Sequence, residues 1–411
     1  MAQAAREGYR AVEQVAREGY GRLVAWLTAR CRDPQLAEDA VADALEAALR
    51  TWPERGVPDR PEAWLLTAAR RKMIDATRRG ATRRDAVERL RMEAEEAASV
   101  PFRDRFPDRR VELLFSCAHE AIPTDMRTPL MLQLVLGLSA ERIGSAMLVK
   151  PATMGQRLVR AKQRMADADL ELALPEDDDA LRARLSPVLA AIYAAYGAGW
   201  ESDVTTRQTG LAAEAIWLAS LVAGRLKEAE ALGLYALLLH CEARRGSRRD
   251  AEGELVPLDV QDPATWDAAL MTEAETALRL AARQRAAGPY QLEASIQSLH
   301  ADRARTGRTD WRAIHATYGV LVALYPTLGA FVGHAASFGR IGQPSEGLAL
   351  LDRLEEEAAL RHQPFWAVRA HLLASLARPA EAREAYSRAI GLSDDAAVRR
   401  FLQRRAEALG S

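Results

Sequence analysis

Apolar residues recur at steps of three and four along most of this chain, a period that belongs to helices and is incompatible with extended strands. Near the start, Val12, Val15, Tyr20, Leu23, Val24 and Leu27 fall on one helical face with Trp26 beside them. Aromatic residues make up only 6% of the 411, while Ala, Leu, Arg and Glu dominate. That mixture is rich in strong helix formers, so the expected fold is all-α. Hydrophobic residues at 49% and charged residues at 27% exclude wholesale disorder and supply a packed interior. At roughly 150 residues per domain the length predicts about two to four domains. No run of eighteen uncharged apolar residues is present, so no membrane partner is expected. Met1 to Tyr20 carries Arg6, Glu7, Arg10, Glu13, Arg17 and Glu18, which is not the apolar core of a secretory signal. Cys31, Cys117 and Cys241 are too far apart for a disulfide framework or a Cys-x-x-Cys metal knuckle, and a cytoplasmic location is expected.

The net charge of −1 hides an asymmetry. Seven basic residues and one acid lie between Arg70 and Arg84; five basic residues and no acid lie between Lys150 and Arg164. The rest of the chain therefore carries −12. Two compact positive patches on an acidic body predict contact with a polyanion at two places.

Punctuation divides the chain. Asp33-Pro34 reads as an N-cap followed by proline at the first helical position. The helix it opens, about Pro34 to Trp52, has Val41, Leu45, Ala48 and Leu49 as its apolar face and Asp39, Asp43 and Glu46 as an acidic stripe with Glu38 beside it. Like charges at i, i+4 disfavour an isolated helix. Such a stripe is either a solvated face or one presented to a basic partner. Pro53 to Pro61 reads as a loop. A third helix, about Glu62 to Arg79, turns Trp64, Leu65, Leu66, Ala69, Met73 and Ile74 inward and the first basic patch outward. Residues 81–107 lose periodicity and read as a linker. A second helical unit, 108–170, contains a helix from Asp108, another from Met126 to Leu136, and then a helix-turn-helix pattern. In that pattern Ser139 caps one helix, Ile143 and Met147 face inward, Gly144 sits at the crossing and Pro151 opens the next helix. The last helix buries Met154, Leu158 and Ala161 and exposes Thr153, Gly155, Gln156, Arg157, Arg160 and Lys162. Small and polar residues at its start, with Arg and Lys along one side, suit a DNA major groove. Residues 180–411 read as an array of Ala-rich helical hairpins. Gln343-Pro344 and Arg378-Pro379 each open an amphipathic helix and lie 35 residues apart, near the period of tetratricopeptide-type pairs. Arg249 to Pro257 breaks this array as a surface turn or short hairpin.

Three ordered motifs resemble the extracytoplasmic-function type of bacterial RNA polymerase sigma factor. They are Leu36 to Leu45 (LAEDAVADAL), Pro61 to Asp75 (PEAWLLTAARRKMID), and Gly137-Leu138-Ser139 through Thr153 to Lys162 (TMGQRLVRAK). The C-terminal part is similar to the subgroup carrying a tetratricopeptide-like extension, the likeness lying in Ala191 to Gly197, Glu230 to Leu234 and Gly288 to Ala294. The resemblance implies a region 2 domain over 1–80, a region 4 helix-turn-helix over 108–170, and a C-terminal helical regulatory domain. It implies that Glu38, Asp39, Asp43 and Glu46 dock on core RNA polymerase and that Pro53 to Pro61 captures a flipped base of the minus-ten element. Arg70, Arg71, Lys72, Arg78 and Arg79 would hold the opening DNA strand. Thr153, Gly155, Gln156, Arg157 and Arg160 would read the minus-thirty-five element of promoter DNA, with Lys162 on the same basic helix. Leu148 stands where many relatives have the glycine of the turn. The C-terminal part is expected to make an intramolecular or protein contact.

No enzyme, cofactor or metal is expected. The seven histidines have no zinc-protease spacing, and neither a phosphate-binding Gly-Lys loop nor a Gly-x-Ser-x-Gly elbow is present. Trp200, Trp217, Trp266, Trp311 and Trp366 read as core anchors. The alternative is a one-component helix-turn-helix regulator with a helical sensor domain, which has no need of the acidic helix or of the block from Trp64 to Arg79.

Overall fold

Asp33 does what its place before a proline predicts. Its carboxylate accepts hydrogen bonds from the backbone N–H groups of Gln35 (3.1 Å) and Leu36 (3.2 Å), satisfying donors that a helix start leaves without partners. This cap separates α1 (Ala2–Cys31) from α2 (Pro34–Arg55) in a computed structural model that describes residues 2–79, 108–147, 149–201, 210–354 and 357–410. The fold is all-α. Among the described residues the only strand-like pairing is an isolated antiparallel bridge between Arg249 and Leu255.

The chain divides into two compact units, one extending to Leu221 and the other beginning at Val222. In the first, α1, α2 and α3 (Pro61–Arg79) pack on one another around Val24, Leu27, Val41, Trp52, Leu65 and Met73. The Trp52 and Trp64 rings meet edge to face at 5.6 Å. The expected loop from Pro53 is shorter than its prolines imply, because α2 runs through Pro53 to Arg55. Gly56, at φ 89°, ends it by donating to the Trp52 carbonyl. Gly8 of α1 lies directly on Pro53, where a Cβ would stand 2.7 Å from the proline ring, so packing holds this proline inside the last turn. The expected 81–107 linker lies outside the described residues.

Next come α4 (Arg110–Cys117), α5 (Thr124–Leu134), α6 (Ala140–Ala146), α7 (Pro151–Asp167), α8 (Asp178–Glu201) and α9 (Leu211–Leu226), within which the division between the units falls. Ser139 caps α6 by accepting from the Arg142 N–H at 3.3 Å. Gly144 lets α6 meet the start of α7, since a Cβ there would come within 2.6 Å of the Val149 carbonyl oxygen. Met147, expected inward, is 39% exposed. It is the residue that closes α6, at ψ 8°, and its side chain leaves the inward face as the chain turns. Leu148 lies outside the described residues.

In the second unit, α10 (Ala229–Ala243) is buried on nearly every side between α11 (Ala268–Arg283) and α12 (Pro289–Ala301). Gly288 has no side chain with which to cap α12; instead the Glu230 carboxylate accepts from the N–H groups of Tyr290 (3.0 Å) and Gln291 (3.1 Å). Helices α13 (Trp311–Leu324), α14 (Leu328–Arg340), α15 (Pro344–Asp352), α16 (Gln363–Ser375), α17 (Pro379–Gly391) and α18 (Ala396–Glu407) follow, each packed on the next. Phe365, Leu351, Leu372, Ala382 and Tyr386 form part of one cluster, and Ile296, Ile314, Leu321 and Ala330 another. The break at 249–257 is a short hairpin turning at Gly253 (φ 78°). Arg400 and Arg404 hold its Glu254 at 2.5 and 2.6 Å, and Arg249 pairs with Asp395 at 2.5 Å. Trp266 and Trp366 are buried as expected of anchors, while Trp200, Trp217 and Trp311 are half-buried.

Two buried histidines make this unit acid-sensitive. Burial lowers both His240 and His300 to about 4; Glu275, 3.5 Å from His240, opposes the shift only in part. In the unfolded chain each binds a proton near pH 6.5, so the unfolded state takes up more protons below that pH and stability falls as pH drops. Each histidine should cost about 1 kcal/mol at a pH of ~5.5 relative to neutrality. Thermal unfolding followed across that interval should show the loss, and His300→Gln should remove about half of it, His240 keeping the rest.

Candidate functional site

The acidic stripe on α2 is a true surface feature at three of its four positions. Asp39, Asp43 and Glu46 are exposed. Gln35 donates to Asp39 at 2.8 Å and Arg50 to Glu46 at 3.0 Å, both contacts within α2. Leu49, assigned to the inward face by periodicity, is 43% exposed beside them. Ala48 and Trp52 already fill the inward side, leaving Leu49 on the acidic side. Three carboxylates around an exposed leucine make a mixed apolar and acidic face.

The neighbouring helix carries the opposite charge. Arg71 and Lys72 are exposed on α3, and Lys72 Nζ lies 3.5 Å from the Asp43 carboxylate. Arg70 is half-buried, its guanidinium 5.6 Å from the centre of the Trp26 ring. Arg78 and Arg79 close α3, and their side chains lie outside those described.

On α7 the division of faces follows the sequence with one exception. Met154, Leu158 and Ala161 are buried; Thr153, Gln156, Arg157 and Arg160 are exposed, and Gly155 is half-exposed. Pro151 begins the helix, as its missing N–H allows. Arg157 lies 4.0 Å from Asp125 and both are largely in water, so the pair is weak and leaves the arginine available. Lys162 is the exception: expected on the exposed face, it is 3% exposed. It forms an ion pair with Glu38, itself 8% exposed, whose other oxygen accepts from the Tyr20 hydroxyl at 2.8 Å. Burial first, and the Glu38 charge second, push the Tyr20 hydroxyl far above its usual range, so it stays protonated and donates. The fourth acid of the stripe and the one lysine of α7 therefore face each other rather than solvent. The 124 residues between them hide the pairing from any local pattern.

Sequence reasoning also missed Arg110. It is 5% exposed, paired with Asp108 (2.9 Å) and Glu214, with its guanidinium 3.8 Å from the centre of the Trp217 ring. The only local signal is an Asp two residues before an Arg at a helix start.

Among the described residues no group of His, Cys, Asp and Glu is arranged to hold a metal ion, and no helix is long and apolar enough to cross a membrane. His240 and Cys241 sit within α10. The first unit thus presents an acid-and-leucine face beside a basic face, and a second basic helix start. Residues 15–84 match the family described as Sigma-70 region 2, which spans the acidic and basic helices together. This Sigma-70 region 2 domain supports membership of the sigma-70 family. Residues 184–282 match a second family, described as a family of unknown function (DUF6596). An uncharacterized protein of Rhizobium meliloti (strain 1021) is 34% identical over 382 residues, covering 90% of this chain and 89% of its own length. No solved structure matches the chain.

Proposed function

We propose that the protein is a sigma factor of the extracytoplasmic-function type, binding core RNA polymerase through α2 and promoter DNA through α3 and α7. The observation that carries this reading is the Sigma-70 region 2 match over 15–84. Asp39, Asp43 and Glu46, with Leu49 among them, form the polymerase face; Glu38 supports that helix from beneath. Arg70, Arg71, Lys72, Arg78 and Arg79 bear on the opening strand near the minus-ten element. Thr153, Gly155, Gln156, Arg157 and Arg160 face the minus-thirty-five element from a helix-turn-helix, and Lys162 joins them only when freed from Glu38. On this reading residues 1–80 and 108–170 are the region 2 and region 4 domains joined by 81–107. The helical array over 180–411 is a tetratricopeptide-like regulatory domain that makes protein contacts.

The chain performs no covalent step in this role. Phosphate contacts position the duplex and base-edge contacts choose it. Each neutralised phosphate releases counterions, so promoter binding should weaken steeply with salt. The cost of unpairing bases is offset by the basic surface that receives the single strand.

Transcription by core polymerase reconstituted with the full chain, read out on a library of promoter fragments, is the test. A discrete class of starts that share two upstream elements is expected. A chain that binds DNA selectively yet neither associates with core polymerase nor directs initiation overturns the proposal in favour of a stand-alone regulator.

A further inference from the structure

Residues 250–262 (DAEGELVPLDVQD) contain five acids and no base, and they lie on the second unit as a strap rather than packing into it. Leu255, Val256, Pro257 and Leu258 are only half-buried, and Val260 is 68% exposed. Charge holds the strap instead. The Glu254 carboxylate accepts from Arg400 and Arg404 of α18, and the Asp259 carboxylate accepts from Arg340, the last residue of α14, at 2.5 Å. Arg303, just beyond α12, grips the backbone: its guanidinium donates to the carbonyls of Asp259 (2.8 Å), Leu258 (2.9 Å) and Gln261 (2.6 Å). Four arginines from three separate parts of the array converge on one acidic segment.

The two ends of the strap are fastened by other means. On the N-terminal side Arg245 is buried and paired with Glu242 at 2.8 Å. On the C-terminal side Trp266 is buried, and the Asp267 N–H donates to the Ala243 carbonyl at 2.9 Å. Neither anchor involves Arg340, Arg400 or Arg404, so the tip can leave them with both ends still held.

We infer that the strap is a built-in pseudo-ligand: the four arginines form a receptor for a non-helical acidic segment of a partner protein, which takes the strap's place. The inference rests on the protein-contact role proposed for the array and is independent of the polymerase and promoter contacts proposed for the first unit. Two features of the recognition define the partner. Arg303 binds main-chain carbonyls, which a polypeptide supplies and a nucleic acid does not. Arg340 and the Arg400–Arg404 pair select two carboxylates five positions apart, those of Glu254 and Asp259 in the strap, and a guanidinium fork suits a carboxylate.

The chemistry suits exchange. The side chains of Arg340, Arg400 and Arg404 are 39%, 47% and 53% exposed, so water screens each pair and each returns little stability alone. The strap's advantage is its tether, which places it beside the arginines at an effective concentration that is roughly millimolar. A partner prevails by adding contacts of its own, and the fraction of molecules with the strap lifted scales its apparent affinity.

A fluorescein-labelled peptide of sequence 250–262, blocked at both ends, is the probe, and its binding to the full chain is followed by anisotropy. Glu254→Lys with Asp259→Lys, which drives the strap off the arginines by like charge, should bind the peptide about ten-fold more tightly than the wild-type chain does. Glu254→Gln with Asp259→Asn controls for the added charge, should act in the same direction, and serves where the lysine pair impairs folding. Adding Arg400→Gln and Arg404→Gln should weaken binding by about ten-fold, and so should replacing the corresponding two acids of the peptide by Gln and Asn. Equal binding by wild-type and strap variants, no binding by either strap variant, or binding indifferent to the arginines overturns the pseudo-ligand. An oligonucleotide of equal charge that binds as tightly as the peptide also overturns it and makes the arginines a nucleic-acid surface. Wild-type dimers formed by exchange of straps overturn it in favour of a second copy as the occupant. Neither polymerase nor promoter enters the measurement, so failure of the sigma-factor reading leaves the receptor standing, and failure of the receptor leaves that reading untouched.

Discussion

Reversing Asp39, Asp43 and Glu46 to lysine should reduce recovery of core polymerase with the full chain about 100-fold or more, while the melting temperature barely moves. The two halves of this expectation have separate physical origins. All three carboxylates are exposed, and their contacts to Gln35, Lys72 and Arg50 lie at or near the surface. Exposed pairs of this kind are worth about 0–1 kcal/mol each, so the fold has little to lose. A protein partner that meets the stripe with basic residues instead experiences three like-charge contacts where it had three favourable ones, and such juxtapositions cost several kcal/mol together. Co-purification from cells and binding of purified core polymerase measure the first half, and thermal denaturation the second. Retention of full polymerase binding by the triple variant would remove α2 from the interface. Leu49→Ser should weaken the same interaction more mildly, because only one apolar contact is lost.

The second large effect is on stability. Arg110→Ala should destabilise the first unit by about 2–4 kcal/mol in denaturant unfolding. The guanidinium is nearly inaccessible and serves three partners at once: Asp108, Glu214 and the face of Trp217. Its removal takes the guanidinium away from Asp108 and Glu214 and uncovers a tryptophan face. The carboxylates keep some access to water, with side chains 22% and 27% exposed, so the loss falls short of that for a fully enclosed pair. Arg110→Lys should recover only a fraction, since an ammonium cannot lie flat on an indole and fork to two acids at the same time. Denaturation curves for the three proteins should therefore order as wild type, lysine variant, alanine variant.

Local chemistry was readable in advance, and distant pairing was not. The helix starts at Pro34, Pro151, Pro344 and Pro379 were legible because a proline at the first helical position acts within one turn of itself, and the structure begins helices at all four. The buried face of α7 was legible for the same reason, since Met154, Leu158 and Ala161 recur with the helical period. Leu49, Met147 and Pro53 departed from expectation where a neighbouring residue or helix had already settled the packing. Lys162 departed because its partner comes from another part of the chain. A lysine next to arginines on a basic helix carries no mark that distinguishes the one that will be buried. The acidic and basic faces of α2 and α3 were visible as charge runs, and their adjacency follows from a three-helix packing that periodicity alone does not dictate.

The hairpin at 249–255 finds its charged partners on the last helix, 146 to 150 residues further along. During synthesis, then, Glu254 and Arg249 leave the ribosome long before Asp395, Arg400 and Arg404 do. That tip therefore has these charged partners only once α18 has been made. A polypeptide cut short before α18 would keep the hairpin's turn at Gly253 but lose the charged anchor that Asp395, Arg400 and Arg404 supply.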